Sequence, residues 1–459
     1  MDELLQRFET LARARPAAPL VLAPGRSSSR GDLLGALEVR GPVLATALGA
    51  WRGSAGFLVA LDVAPGPGLL VDFLACRALG ACLLLLDHGL APEEKRRVAR
   101  QLGAACLLDS TPASLDEPDS SPRLEELGGA AHFPEAACLK LTSGSTGAPS
   151  GVLTPTASLL ADGEGLIRSM EIREEDRIYA AVPMSHSYGL SILATPAWIQ
   201  GTALVFPAEA EELAAVRACA ATVYPSVPSW YDARVAGKED SLPPSVRLWM
   251  SAGAPLRPAT ARAWRERFGQ GVHAFYGSSE CGGITFDRRG DAAERGSVGT
   301  PVEGVDVALE DGLVVVRSAA VTLGYHPPGE ERDARIEPGV FRTEDLGRLE
   351  GGELWIEGRR SQWINVKGKK VNPREVEAVL LEHPAVRDVV VHGRPLPEER
   401  GELIRAVLVC EGELAFSEVL DWCRPRLAPH KFPRAVLCVA ELPRTERGKL
   451  DRQALAALD

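Results

Sequence analysis

Short apolar runs alternate with amphipathic stretches along the chain up to Gly304. Apolar residues recur at helical spacing over 3–14, 93–102, 157–170 and 258–268, which predicts helices there. Runs rich in Val, Leu and Ala over 57–63, 81–86, 221–224 and 246–250 predict strands. Strands that read as continuous apolar runs between helices are buried on both faces, so the pattern favours α/β layers with largely parallel sheets. From Gly304 the texture changes to close-set strands and turns, as in VDVALEDGLVVVRS and RLEGGELWIEG. Past Gly358 comes a βααβ-like region, with helices expected over 373–381 and 415–424 and strands over 386–392, 404–410 and 434–439. The expected fold is α/β. A large N-terminal domain over 1–357 holds stacked, largely parallel sheets and a β-rich subdomain, and a small α+β domain covers 358–459, with the boundary near 358–362.

A chain of 459 residues, 45% apolar and 25% charged, exceeds the usual single-domain size and can bury a large core. Its net charge of −11 speaks against nucleic acid as main partner, because phosphate backbones need a basic footprint. Five of its eight lysines, Lys367, Lys369, Lys370, Lys431 and Lys449, fall in the last hundred residues. The nine cysteines include no CxxC pair, which fits buried free thiols in a reducing compartment. The opening MDELLQRFETLARARP lacks the build of a signal peptide, and the greasiest region, 73–86, is broken by Arg77 and too short to span a bilayer. A cytoplasmic location is expected.

The strongest chemical signal is 141–151, LTSGSTGAPSG, directly after an apolar strand. Glycines let backbone approach a ligand closely, and hydroxyls add donors, so such a turn can aim many groups at one anion. It is not a Walker loop, since Pro149 stands five residues after Gly144 and no Gly-Lys-Ser/Thr follows. Nor is 66–71 a dinucleotide fingerprint, because Val71 occupies the place of the third glycine.

This turn resembles the phosphate-binding signature of the adenylate-forming superfamily, which unites acyl-CoA synthetases, luciferases and nonribosomal adenylation domains. Further blocks follow in the same order: PMSHSYG at 183–189, SAGAPL at 251–256, YGSSE at 276–280, GSVGTP at 296–301, FRTED at 341–345, Gly358-Arg359, Gly368 with NPRE at 372–375, and PRTERGK at 443–449. The resemblance spans about 20–455 and implies an AMP-forming acid–thiol ligase: a carboxylate attacks the α-phosphate of ATP, and a thiol then displaces AMP. Such a site needs positive charge and oriented donors more than a strong nucleophile.

By resemblance, Thr142, Ser143, Gly144, Ser145, Thr146 and Gly147 would wrap the β- and γ-phosphates, and Glu280 would hold Mg²⁺. Tyr276 would stack on adenine beside Gly277, Ser278 and Ser279, with the backbone of Gly253, Ala254 and Pro255 at its edge. Asp345, assisted by Arg359, would bind the ribose hydroxyls. His186 would stand at the mouth of the acyl pocket, and Lys449 would bridge carboxylate and α-phosphate during adenylation. The family's C-terminal domain is mobile about a hinge, here Ser361. Its rotation would exchange Lys449 for the Gly368 loop, bringing Lys370 with Lys367 and Lys369 toward phosphate groups of AMP or CoA.

Two positions depart from the pattern. Ser150 stands where the phosphate loop usually has lysine, so weaker or slower use of ATP is expected, and Ser361 and Gln362 replace an acidic hinge pair. The stretch HSYGLSILATPAW lacks the acid that pairs with an α-amine, so a plain carboxylic acid, aryl or short-to-medium acyl, is favoured over an amino acid. Ser187, Tyr188, Tyr224, Val227, Ala252, Gly277 and Cys281 are the expected pocket walls. Three readings stay open: transfer to CoA, loading onto the phosphopantetheine of an acyl or peptidyl carrier protein, and a non-catalytic nucleotide-binding protein. The first is favoured, with ATP, Mg²⁺ and CoA as its small molecules.

Overall fold

The first amphipathic stretch folds as helix Glu3–Ala14. Its start is closed by the Asp2 carboxylate, which accepts the Leu4 N–H, and it buries Leu4, Leu5, Phe8 and Ala12. This is a computed structural model, and it describes residues 2–51, 55–110, 113–142, 149–207, 211–237, 241–366, 368–395, 401–412, 414–444 and 450–458. Ser143, Gly144, Ser145, Thr146, Gly147, Lys367 and Lys449, all singled out above, lie outside the described residues. The chain divides into two units, one of Met1–Ala308, Val315–Arg342 and Gly351–Leu354, the other of Leu309–Val314, Thr343–Glu350 and Trp355–Asp459.

Two large sheets lie in the first unit. One has seven strands, in the order Tyr325–His326, Ser150–Thr154, Cys138–Thr142, Cys82–Asp87, Leu58–Val63, Cys106–Ser110 and Leu124–Glu126. Its four central-to-inner strands from Cys138–Thr142 to Cys106–Ser110 run parallel, as their apolar character requires, and every residue of Leu58–Val63 is buried. The other has nine strands, of which six are mutually parallel: His273–Ser278, Leu248–Ser251, Val223–Ser226, Arg177–Tyr179, Ala203–Val205 and Pro19–Ala23. Helices and the main apolar cluster fill the space around them, with Phe73 against Trp198 at 4.7 Å between ring centroids.

Alternation along the strands sorts side chains into two clusters. Val223 and Met250 join the main cluster, while their neighbours Tyr224 and Trp249 join a second, aromatic one on the opposite face. There Tyr224 packs on Tyr179, Trp230 and Trp249 at 4.7–5.2 Å, and its hydroxyl donates to Glu212. One local feature has no sequence signal: the helical path after His186 widens into a π-helix at Leu190–Ala194.

In the second unit, Val386–Pro395 pairs antiparallel with Glu402–Cys410, which pairs parallel with Ala435–Val439. Helix Pro373–Leu381, capped by Asn372 accepting the Arg374 N–H, and helix Phe416–Cys423 bury Val376, Leu380, Val419 and Cys423 in this unit's own core. All nine cysteines are free, and seven are buried. Among the described residues no helix is long and apolar enough to cross a membrane.

Arg40, on helix Arg30–Ala47, meets Asp72 on helix Gly68–Ala78 at 2.9 Å, and its guanidinium also donates to the Ser120 carbonyl. Asp72 is fully buried and Arg40 2% exposed, so removing one partner strands a charge in a dry interior. Arg40→Ala is expected to lower stability by about 3–5 kcal/mol, and the Arg40→Met/Asp72→Leu pair to recover most of that loss. Denaturant unfolding of both variants checks this.

Candidate functional site

Parallel strands place their following loops together at one sheet edge, where α/β proteins bind ligands. Three adjacent strands of the nine-stranded sheet end in this way: Val223–Ser226 in Val227, Leu248–Ser251 in Ala252 to Pro255, and His273–Ser278 in Ser279 and Glu280. Gly253, Ala254 and Pro255 are exposed, and Gly253 takes φ +84°, which a side chain would strain. Gly277 is fixed by space: a Cβ there would sit 2.6 Å from the Gly282 carbonyl across the hairpin. Tyr276 is half-buried beside it.

Glu280 is oriented from several sides. The Tyr325 hydroxyl donates to Oε1 at 2.7 Å, and the Glu280 carbonyl accepts the Thr322 N–H at 2.9 Å. Burial and the adjacent carboxylate together push the Tyr325 phenol well above its ordinary range, so it remains a donor. Ser187 Oγ donates to Ser279 Oγ at 2.7 Å, joining the His186 block to this loop. Behind the loop, buried Asp162 accepts the Gly283 N–H and the Ser191 hydroxyl, and burial raises its pKa while the charge of Lys140 opposes that rise.

The expected phosphate turn connects Cys138–Thr142 to Ser150–Thr154, an antiparallel hairpin in which Thr142 faces Ser150. Thr142 Oγ1 lies 3.0 Å from Ser150 Oγ. Tyr325–His326 adds to the other side of the hairpin, with Tyr325 opposite Val152 and His326 opposite Gly151. Thr142, Glu280 and Tyr325 are thereby tied through backbone ladders and single hydrogen bonds.

His186 Nε2 lies 2.9 Å from Asp87 Oδ2, at the end of the Cys82–Asp87 strand, and Nδ1 has no partner among the described residues. Asp87, Tyr325 and Asp162 went unnoticed in the sequence. Asp87 left one trace, a lone acid closing a leucine run, whereas Tyr325 and Asp162 reach the site through pairing across distant segments. Of the expected pocket walls, Tyr188 packs on Phe275 at 5.6 Å between centroids and its buried hydroxyl has no protein partner among the described residues. Tyr224 faces the opposite side of the sheet from these residues, in the aromatic cluster. Cys281 is buried against Ser278, and burial pushes its thiol up to about 12.

In the second unit, Arg359 Nε donates to Asp345 Oδ1 at 2.8 Å, and Asp345 is held by its N–H on Thr343 Oγ1. Ser361 donates to Glu344, so an acid does stand at the expected hinge. Gly368, at φ +87°, turns the hairpin of Ile364–Val366 with Lys369–Val371 and leaves Lys370 exposed.

The donor set suits a nucleoside triphosphate with Mg²⁺. Among the described residues no group of three or more His, Cys, Asp or Glu side chains could cage a metal. Mg²⁺ needs no cage: one or two carboxylates with phosphate oxygens suffice, and Glu280 offers one beside a hydroxyl-lined hairpin.

Known proteins resemble this chain along most of its length. Sulfoacetate–CoA ligase from Cupriavidus necator is 33% identical, the match covering 70% of this chain and 66% of that protein. Indoleacetate–CoA ligase from Aromatoleum aromaticum is 29% identical over 99% of this chain and 98% of its own length. The o-succinylbenzoate CoA synthetase of Bacillus subtilis, solved in complex with ATP and a magnesium ion, superposes with a TM-score of 0.81 at 26% identity, covering 99% of each chain. Residues 8–326 match the AMP-binding enzyme family and 375–449 its C-terminal domain, so the chain belongs to the AMP-binding enzymes.

Proposed function

We propose that this chain is an AMP-forming acid–CoA ligase: it joins a carboxylic acid to the α-phosphate of ATP, releases pyrophosphate, and passes the acyl group to the thiol of CoA. The observation that carries the reading is the convergence of a tethered carboxylate, Glu280, on the hydroxyl hairpin of Thr142 and Ser150, both oriented by Tyr325–His326. Relatives named for malonate, sulfoacetate, 2-succinylbenzoate and indoleacetate support a small-molecule acid as substrate. They lend no support to a carrier-protein acceptor.

The residues divide the work as their chemistry allows. Thr142, with Ser143, Gly144, Ser145, Thr146 and Gly147, binds the β- and γ-phosphates, since hydroxyls and open backbone amides offer many donors to one anion. Glu280 holds Mg²⁺, which when bound neutralises phosphate charge and sharpens the α-phosphorus as an electrophile. Tyr276 lies against adenine, with Gly253, Ala254 and Pro255 presenting backbone at its edge. Asp345, steered by Arg359, accepts the ribose hydroxyls, the pairing that dinucleotide sites also use.

His186 has a defined orientation. With Nε2 engaged by Asp87, Nδ1 is the nitrogen that meets the incoming carboxylate or thiol. Lys449 supplies a compact ammonium where charge builds during adenylation, and Gly368 with Lys370 serves the thiol step. A pocket of small residues with Tyr188 suits an aryl or short-to-medium acyl group.

Screening carboxylic acids for acid-dependent pyrophosphate release tests the reading; release with none of them, alongside intact ATP binding, would refute it. Lys449→Ala is expected to cut adenylate formation at least a hundredfold while leaving thioester formation from supplied acyl adenylate nearly intact. Equal loss of both steps would remove Lys449 from the adenylation role. Asp345→Ala is expected to weaken ATP binding about tenfold, measured by calorimetry, since it removes a charged acceptor of two hydroxyls.

A further inference from the structure

The position that lacks the usual lysine, Ser150, is not without a cation. Arg332 Nη1 donates to Ser150 Oγ at 2.8 Å, and Ser150 Oγ in turn lies 3.0 Å from Thr142 Oγ1. We propose that Arg332 replaces the missing lysine and binds the β- and γ-phosphates of ATP, so that a guanidinium delivered from 182 residues downstream completes the phosphate site. The proposal rests on the reading that the Thr142–Ser150 hairpin receives the triphosphate.

The local fold explains how the arginine arrives. Tyr325–His326 pairs with Ser150–Thr154, and the chain then folds back because the Asp333 carboxylate accepts the N–H groups of Gly329 at 2.8 Å and Tyr325 at 3.4 Å. Arg332 returns over the Tyr325 ring, 5.1 Å from its centroid, a cation–π contact that fixes the guanidinium plane. Its Nη2 donates to the Pro327 carbonyl at 3.3 Å. The same Tyr325 holds Glu280 by its hydroxyl, so one aromatic side chain spaces the cation from the carboxylate.

The two contacts of the Arg332 guanidinium are with neutral acceptors, a hydroxyl and a carbonyl, and a guanidinium carries five N–H donors in all. A guanidinium with spare donors is suited to paired phosphate oxygens and keeps its proton at any physiological pH. Arg332 packs on the face of the Tyr325 ring while Glu280 is bonded at its hydroxyl, so the two charged groups engage different parts of one side chain.

The test separates charge from folding. Arg332→Gln keeps a donor for Ser150 and most of the bulk but removes the charge. It is expected to weaken ATP binding about tenfold by calorimetry, leaving AMP affinity unchanged because AMP lacks the distal phosphates. Arg332→Ala should behave alike, and Ser150→Lys added to Arg332→Ala should restore ATP affinity to within about threefold of the parent chain. Unchanged ATP affinity in Arg332→Gln, equal weakening of ATP and AMP, or failure of the added lysine in a variant that melts like the parent would each overturn the proposal. A parent chain that binds neither nucleotide would instead refute the reading on which it rests.

Discussion

Antiparallel pairing on both sides of Ser150–Thr154 is the constraint on which the nucleotide end depends. That strand exchanges hydrogen bonds with Cys138–Thr142 on one side and Tyr325–His326 on the other. The first pairing sets the ends of the phosphate turn; the second brings in the tyrosine that steadies Glu280 and the arginine above it. A one-residue slip in either ladder would turn Thr142 or Tyr325 to the other face of the sheet, since strand side chains alternate with a period of two. Position at this site is therefore enforced by backbone rather than by a cluster of mutually attracting charges.

Electrostatics supports the same view. The chain carries an excess of acid overall, and some of its buried charges are matched in pairs, as with Arg40 and Asp72 or with Lys95 and Asp62 at 2.7 Å. Arg332 differs in being partly buried and in contacting neutral groups, the Ser150 hydroxyl, the Pro327 carbonyl and the Tyr325 ring.

Much of this was legible in the residues. The helices Glu3–Ala14, Pro258–Phe268 and Pro373–Leu381 start and stop where apolar spacing and proline placed them, since local propensity and burial agree there. The strand ends moved by one to three residues, as for Leu248–Ser251 and Val386–Pro395, because hydrogen-bond partners rather than hydropathy decide where a ladder stops. Ordered motifs pointed to Glu280, His186 and Asp345. What they could not reveal is anything contributed across the sheets: Asp87 reaching His186, Asp162 bracing Gly283, and Arg332 standing beside Ser150. Those contacts join segments far apart in the chain, and no local period encodes them. Tyr224 shows the converse, a residue near the right motif whose alternation on its strand turns it away.

The late arrival of Tyr325–His326 has a cost during synthesis. When Ser150–Thr154 leaves the ribosome, its outer edge has no strand to pair with, and the chain must grow by nearly the 182 residues that separate Ser150 from Arg332 before one exists. At ordinary elongation rates that interval lasts roughly ten to forty seconds, during which an apolar, open-edged sheet invites pairing with neighbouring polypeptides. Slowing translation upstream of Tyr325 would lengthen that period of exposure.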